Sequence, residues 1–410
     1  MTDVGRPSGA YDGAVIDRRA GRVEGITLVV VAVMPILAVA SLVAVLPLMF
    51  EHFSSVPNFQ FLVPMIITVP SLCVALFSTV AGAVADRFGR RRLLLIALAA
   101  FSLLGLMPLL FNSLGAIIAS RVVVGLAEAS ILVCCNALWG DYFGDDERKK
   151  WLSVQQTSGP VFSALLAFAG GALAAWHWNF SFWLYALGIP PLVLVALFAW
   201  EPARRQPSKV IARPGATRFP WRVAAMIASA TLGVSLVFFV LALQMGRVFA
   251  ALGVTSAATN GALIMAASSG GILGGILFGL LRKSSILRLL SLGLVAYGVG
   301  YVGLSQSIHP AAGTAFSFVA QVGSSIVLPS LIVWTLGSFP VEHRGRGIGI
   351  WGATFFMGQF LSAPVLTLLE QWRGSLLAAL GVVGVITLIV AAMLWWASRG
   401  STVVPSEVVS

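Results

Sequence analysis

Two ionisable residues, Arg121 and Glu128, lie inside a long apolar stretch of the sequence, residues 114–139. Their spacing of seven is about two helical turns, so a helix would place both side chains on one face. A carboxyl group held inside a membrane is costly and generally functional, and it could take up and release a proton. The pair therefore predicts a proton-coupling or gating site, or else a structural ion pair of Glu128 with Arg121 or with another helix.

A second charged group follows the apolar run before this one. Residues 82–92 read Gly-Ala-Val-Ala-Asp-Arg-Phe-Gly-Arg-Arg-Arg, with one acidic and four basic side chains. The hydrocarbon interior of a bilayer does not accept such a cluster, so we predict a short loop at a membrane surface.

The composition excludes an ordinary soluble domain. Of 410 residues, 58% are hydrophobic and 10% are charged, and the mean hydropathy is +0.95. A soluble domain carries about 25% charged residues, so a lipid bilayer must be the main solvent of this chain. The net charge of +11 would suit nucleic acid, but the Lys and Arg residues cluster between apolar runs, which is typical of membrane topology signals. We therefore predict no nucleic-acid partner.

The apolar runs predict an all-α membrane protein with twelve transmembrane helices. Each spanning helix needs about 20 mostly apolar residues. The first run is too long for the core of a signal peptide, so we interpret it as the first membrane helix. The predicted helices cover residues 26–50, 61–85, 93–111, 114–139, 152–175, 180–200, 222–246, 257–281, 286–306, 311–337, 346–369 and 374–397.

The basic residues predict the orientation. Nearly all Lys and Arg residues fall in the two tails and in alternate loops, whereas Arg247 and Arg373 fall on the opposite side. By the positive-inside rule both termini are cytoplasmic. We predict an integral protein of a bacterial inner (plasma) membrane.

The longest internal connection, residues 201–221, is rich in proline and charge and suits a flexible linker. It divides the chain into parts of six predicted helices each. The predicted parts are a cytoplasmic tail 1–25, a first bundle 26–200, the linker 201–221, a second bundle 222–397 and a cytoplasmic tail 398–410.

The charged loop resembles the signature loop of the major facilitator superfamily, G-x-x-x-D-R-x-G-R-R/K, between its second and third helices. Its defining positions are filled by Gly82, Asp86, Arg87, Gly89 and Arg90. The resemblance covers almost the whole chain and implies two pseudo-symmetric six-helix bundles with a site at their midplane interface.

The resemblance also implies a conformational latch made of Gly82, Asp86, Arg87, Gly89, Arg90 and Asp141. In this family the loop aspartate is thought to meet the beginning of the eleventh helix, which lies near Gly345 here. A carboxylate is stabilised by the unpaired amides at a helix N-terminus. Arg90 and Asp141 resemble the partners that complete this cytoplasmic charge cluster, which can form in one global state and break in the other.

Two further motifs bear on function. Arg121, Gly125 and Ala129 match the superfamily's R-x-x-x-G-x-x-x-A motif in the fourth helix. The pattern around Glu128 also resembles organic-anion symporters and the lysolipid-transporting Spinster group, although their usual acidic residue in the first helix is absent here. Gly159 and Pro160 resemble part of the G-P-x-x-G-G hinge of antiporters, with Ser-Ala in place of its paired glycines.

Polar and aromatic residues of the predicted helices could line a pathway, and each could equally serve packing or interhelical hydrogen bonds. An apolar, aromatic cavity with few charges suits an amphipathic solute better than a sugar or phosphate. No motif indicates a metal, a cofactor or an enzyme. The pathway candidates are Gln155, Gln156, Gln244, Asn260, Gln321, Trp334 and Gln359.

These features favour a secondary active transporter that works by alternating access, with proton-coupled export of small organic or amphipathic molecules. In that scheme Glu128 carries the proton and Arg121 tunes it. One alternative is an uptake symporter for an organic anion or metabolite, with Arg121 attracting negative charge. Another is a transporter-like sensor that binds a ligand without moving it. The expected partners are a small-molecule substrate, protons and lipid, and we expect a monomer.

Overall fold

A computed structural model describes residues 20–202, 218–281 and 284–400, with the side chains of a few helical residues excepted. Most of the two predicted tails and most of the predicted linker therefore lie outside the described residues. Within the described ranges the regular structure is helical, without strands.

Twelve long helices, α1 to α12, form the fold of the described residues. Eleven are long and apolar enough to cross a membrane, and α5 contributes a shorter apolar segment, Val161–Ala174. The helices are α1 Arg22–Val43, α2 Phe59–Phe88, α3 Arg90–Leu109, α4 Leu114–Tyr142, α5 Asp145–Ala174, α6 Phe180–Phe198, α7 Trp221–Ala251, α8 Ala257–Leu281, α9 Ile286–Ser305, α10 Pro310–Ser338, α11 Arg344–Arg373 and α12 Leu376–Arg399.

The prolines explain the irregular course of α1. It is interrupted at Val33, and a separate helix, Leu46–His52, follows it. Pro35 and Pro47 lie in the first turns of the new segments. Proline has no amide hydrogen and its ring clashes with the preceding turn, so it begins a helical segment more readily than it continues one.

The helices pack into two six-helix bundles, α1–α6 and α7–α12. Each bundle has its own apolar core, built mainly from side chains that face inward from its own helices. The bundles meet mainly where α2 packs on α11 and where α5 packs on α8. This pairing forms a seam between the bundles.

Three helices extend beyond their predicted ends and so include charged residues that were predicted to lie in loops. α5 begins at Asp145 rather than at the predicted 152, so its first turns are polar. α7 runs to Ala251 and α11 to Arg373, each several residues past the predicted end. Arg247 and Glu370 are therefore helical residues rather than parts of connecting loops.

Candidate functional site

The two ends of the bundle carry different charged groups. We call the end that bears Arg90, Asp141 and the start of α11 the basic end. The opposite end, which bears Phe50, Gln60 and the end of α11, is the far end. Successive helices alternate in direction between these two ends.

Arg121 is buried inside the first bundle. Its side chain is fully inaccessible, and Nη2 donates hydrogen bonds to the carbonyl oxygens of Leu104 and Gly105 in α3, at 3.2 and 3.1 Å. The guanidinium also lies over the rings of Phe182 and Tyr185 in α6, 5.1 and 4.9 Å from their centroids. Backbone acceptors and aromatic faces thus compensate for much of the cost of burying this cation.

Glu128 is buried without such compensation. Only 5% of it is exposed, and its Oε1 atom has no hydrogen-bond partner. One turn earlier, Gly125 packs against α2, where an added Cβ would lie 2.6 Å from the Cα of Pro70. In the part of the chain that the structure describes, no ion pair joins Glu128 to Arg121. The predicted structural pair between these two residues is therefore not formed in this arrangement.

The charged loop and α4 meet at the basic end. Arg90 pairs with Asp141 of α4, and its Nη2 lies 3.4 Å from Oδ1 of Asp86. Gly89 adopts φ +99°, a left-handed conformation that favours glycine, and ends α2. Asp86 itself is largely exposed. The structure thus brings together four predicted latch residues, all within the first bundle.

The remaining two latch residues lie nearby on α2. Arg87 is exposed, and its guanidinium lies 5.9 Å from the ring centroid of the adjacent Phe88. Gly82 is half-buried, and an added Cβ would make ordinary contact with Val133 of α4. Gly82 is thus a point where α2 lies beside α4 in the same bundle.

Glu201, which the sequence interpretation did not single out, caps α3. Its Oε1 accepts a hydrogen bond from the amide of Arg90 at 2.6 Å, and its Oε2 accepts one from Arg91 at 3.0 Å. The carboxylate occupies the space where a Cβ on residue 89 would lie, because Gly89 leaves that space open. Glu201 lies 111 residues from Arg90, so no local pattern could have indicated the contact.

Replacing Glu201 with Gln should lower the stability of the folded protein by about 1 kcal/mol. The amide keeps one acceptor but loses the second, and it loses the negative charge at the positive end of α3. Thermal unfolding of the purified protein measures the effect. The control is Glu51→Gln, an exposed carboxyl at the end of its helix. Equal melting temperatures for the two variants would contradict the capping role.

At the far end, polar contacts join the bundles. Gln371 of α11 donates to the side-chain oxygen of Gln60 in α2 at 3.2 Å, and Thr367 Oγ1 donates to the Gln60 carbonyl at 3.5 Å. Within the second bundle, Arg247 Nη2 binds both carboxylate oxygens of Glu370, at 2.8 and 3.0 Å. Sequence reasoning treated this arginine and glutamate only as markers of topology.

Two of the predicted pathway residues belong to this far-end region. Asn260 donates through Nδ2 to the carbonyl oxygens of Gly246 and Ala44, at 2.9 and 3.4 Å, and so joins α8 to α7 and to the end of α1. Gln244 accepts a hydrogen bond from Arg247 at 3.3 Å. Both side chains are buried. Asn260 makes the interhelical hydrogen bonds considered as an alternative, whereas the bond of Gln244 lies within α7.

The other pathway candidates are distributed along three helices. Gln155 is half-buried on α5, with Oε1 lacking a hydrogen-bond partner, and Gln359 is buried on α11. Gln321 and Trp334 are half-buried on α10, where Trp334 packs against the core of the second bundle.

The predicted hinge lies on α5. This helix runs unbroken through residues 159 and 160, and Gly159 faces Ile36 of α1 at ordinary contact distance. The side chains of Gln156 and Pro160 lie outside the described residues.

Contacts join the bundles at the far end, whereas open space lies beside several glycines in the basic halves of α8 and α11. Between described residues, the hydrogen bonds that connect the bundles all lie at the far end. There Gly171 of α5 packs directly on the backbone of Ala257 in α8. At the basic halves of α8 and α11, by contrast, an added Cβ would meet no atom within 4 Å at Gly275, Gly279, Gly345, Gly349 and Gly352.

This architecture is that of solved helical transporters. A bacterial homologue of the human lysosomal transporter Spinster aligns with a TM-score of 0.72 over 92% of this chain and 96% of that one, at 15% identity. A POT peptide transporter aligns with a TM-score of 0.71 over 92% and 94%, at 17% identity. At these identities the similarity establishes the fold alone.

The sequence comparison defines the family. Residues 28–284 match the sequence model of the Major Facilitator Superfamily, and this match covers more than half of the chain. The chain therefore belongs to the Major Facilitator Superfamily, as the charged loop predicted. It has the all-helical, two-bundle fold of that family.

Individual relatives match over shorter stretches. A bacillibactin exporter of Bacillus subtilis is 36% identical over 33% of this chain and 35% of its own length. A gallate transporter of Pseudomonas putida is 32% identical over 31% and 28%. A multidrug efflux pump of Mycolicibacterium smegmatis is 29% identical over 40% and 33%. The chain thus matches about a third of the length of these relatives.

Proposed function

We propose that this protein is a proton-coupled secondary transporter that exports small organic or amphipathic molecules by alternating access. The basic end is the cytoplasmic end in this proposal, so the arrangement described here is closed toward the outside. Residues 201–221 would link the two rocking bundles. The protein would act as a monomer in a bacterial inner membrane, with both termini in the cytoplasm.

The buried carboxyl group of Glu128 carries the proposal. An ionised carboxylate without a hydrogen-bond partner is costly in apolar surroundings. A change in those surroundings between two states of the protein therefore changes how readily Glu128 holds a proton. Arg121 supplies a nearby positive charge that is fixed to α3 and α6. Glu128 would then be free to exchange its proton while Arg121 stays in place.

Three candidate functions differ in whether the cargo is moved and in which direction. An exporter and a multidrug efflux pump among the relatives favour export. The gallate transporter and a 3-(3-hydroxy-phenyl)propionate transporter of Escherichia coli favour an organic anion as cargo, which keeps an uptake symporter as the second candidate. A sensor that binds without transport is the third.

Ligand screening followed by a flux assay tests the proposal. A ligand that binds the folded state raises the melting temperature of the purified protein, so a panel of aromatic carboxylates and amphipathic drugs should identify a stabilising compound. That compound is then loaded into proteoliposomes with and without a pH gradient. Flux that follows the gradient supports coupled transport, whereas binding without flux would support the sensor instead.

Replacing Asp86 with Asn should reduce transport strongly while leaving folding intact. The carboxylate would lose its charge at the proposed latch, where it would meet the beginning of α11 in the other global state. Because Asp86 is largely exposed here, the variant should keep the wild-type melting temperature. Flux at equal amounts of reconstituted protein measures the effect. Wild-type flux in this variant would count against the latch.

A further inference from the structure

Among the described residues, Arg247 is a charged side chain of the second bundle that touches an aromatic ring of the first. Its guanidinium carbon lies 4.3 Å from the ring centroid of Phe50, in the helix that follows α1. The arginine side chain is 16% exposed, so the contact is largely shielded from water. A cation over an aromatic face is attracted by the ring quadrupole, and shielding strengthens this attraction.

Glu370 and Gln244 hold the guanidinium in this position. Glu370 accepts two hydrogen bonds from one nitrogen of Arg247, and Gln244 accepts one from the other. All three residues belong to α7 and α11 of the second bundle. The arginine is therefore fixed with respect to its own bundle, whereas its contact with Phe50 crosses between the bundles.

The surroundings of Phe50 show that this contact lies on the closing surface. Phe50 meets Phe59 edge to face, with centroids 5.9 Å apart, and Gln60 beside it bonds to α11. A cavity of about 410 Å³ lies at the same seam and is lined by residues of both bundles, including Phe50 and Arg247. Separation of the bundles at the far end would widen this cavity and remove the ring from the guanidinium.

We propose that Phe50 and Arg247 form the far-end gate of the transport cycle and that Glu370 is its positioning residue. Opening breaks the contact between Arg247 and Phe50 but retains the ion pair between Arg247 and Glu370, because that pair lies within one bundle. The retained ion pair keeps the guanidinium in place for the next closure. This inference rests on the proposed transport by alternating access.

The test measures the far-end opening directly. Spin labels at Ser55 and Gln306, both exposed at the far end of opposite bundles, report their separation in pulsed electron resonance. The background replaces Cys73, Cys134 and Cys135 with Ala. Phe50→Leu should raise the ratio of open to closed protein about five-fold. Leucine is still apolar, but it lacks the aromatic ring that attracts the guanidinium of Arg247. Phe50→Trp should preserve the wild-type ratio.

Variants of the second bundle separate the gate from simple charge effects. Arg247→Gln and Glu370→Gln should both favour the open distances, the first by removing the cation and the second by releasing it. The matched control is Arg373→Gln. The guanidinium of Arg373 also lies near an aromatic ring, 5.4 Å from the ring centroid of Trp372, but both residues belong to α11, so this contact does not cross between the bundles. This control should leave the distances unchanged.

Three results would overturn the gate. They are unchanged distances in Phe50→Leu, equal shifts in Phe50→Leu and Phe50→Trp, and a shift in Arg373→Gln as large as that in Arg247→Gln. The measurement needs neither ligand nor proton gradient, so it is independent of the proposed cargo and coupling. Absence of flux in proteoliposomes together with the expected distance shifts would refute the proposed transport, and Phe50 and Arg247 would remain only as the contact that closes the far end.

Discussion

Proteoliposomes that contain Glu128→Gln should show no ligand-dependent change of internal pH above that of empty vesicles. Glutamine has nearly the shape of glutamate, but its side-chain amide does not exchange a proton as a carboxyl group does. Glu128 is the buried acidic residue in α4, and its Oε1 atom has no competing hydrogen bond. Removal of its charge also relieves the cost of burial, so the variant should melt at or above the wild-type temperature.

The sign of the pH change in the wild type gives the direction of transport. A matched control tests whether the loss of any one negative charge would abolish the signal. Glu147→Gln changes an exposed glutamate at the basic end and should keep the full signal. Ligand flux without proton movement in the wild type would remove the coupling hypothesis. Glu128 would then be a structural or gating residue.

Gly171→Ala should open the far end about ten-fold more often than in the wild type. The added methyl group would collide with the carbonyl oxygen of Ala257 and crowd the Cα of Gly261, both in α8 of the other bundle. Backbone atoms cannot move aside without shifting a helix, and overpacking of this kind costs about 1–3 kcal/mol. Because this strain exists only while the bundles touch, separation of the far ends relieves it.

The adjacent glycine supplies the control. A methyl group on Gly170 would collide with the carbonyl oxygen of Ser41 in α1, within the same bundle. Gly170→Ala should therefore lower the melting temperature without favouring the open state. The readout for both variants is the rate at which a membrane-impermeant maleimide labels Val43→Cys, a buried position of the far-end seam. Equal labelling rates in the two variants would contradict the conclusion that the contact of Gly171 with α8 holds the far end closed.

The fold and part of the site could be predicted because their signals are local. A run of about 20 apolar residues must be a helix in a bilayer, so all twelve helices were predicted with ends mostly a few residues off. Glu128 stood out because a carboxyl group is exceptional within such a run. The contact of Arg90 with Asp141 followed from the resemblance of the loop to a known family.

The far-end contacts could not be predicted because they join residues that are distant in sequence. Arg247 and Glu370 are 123 residues apart, and each lies near a helix end, where a charged residue is ordinary. The same holds for Glu201, which caps a helix that begins more than a hundred residues earlier. Asn260 presents a different problem, because a buried amide could bind a ligand or a backbone carbonyl, and only packing decides between them.

The lengths of the helices have a consequence for the membrane around the protein. α2, α5 and α11 each contain 30 residues, which corresponds to about 45 Å of helix against a hydrocarbon layer of about 30 Å. Such helices must tilt or extend beyond the hydrocarbon. Two of them, α2 and α11, pack on each other across the seam between the bundles. Rocking of the bundles therefore changes their tilt. The thickness of the surrounding lipid therefore contributes to the balance between the two states.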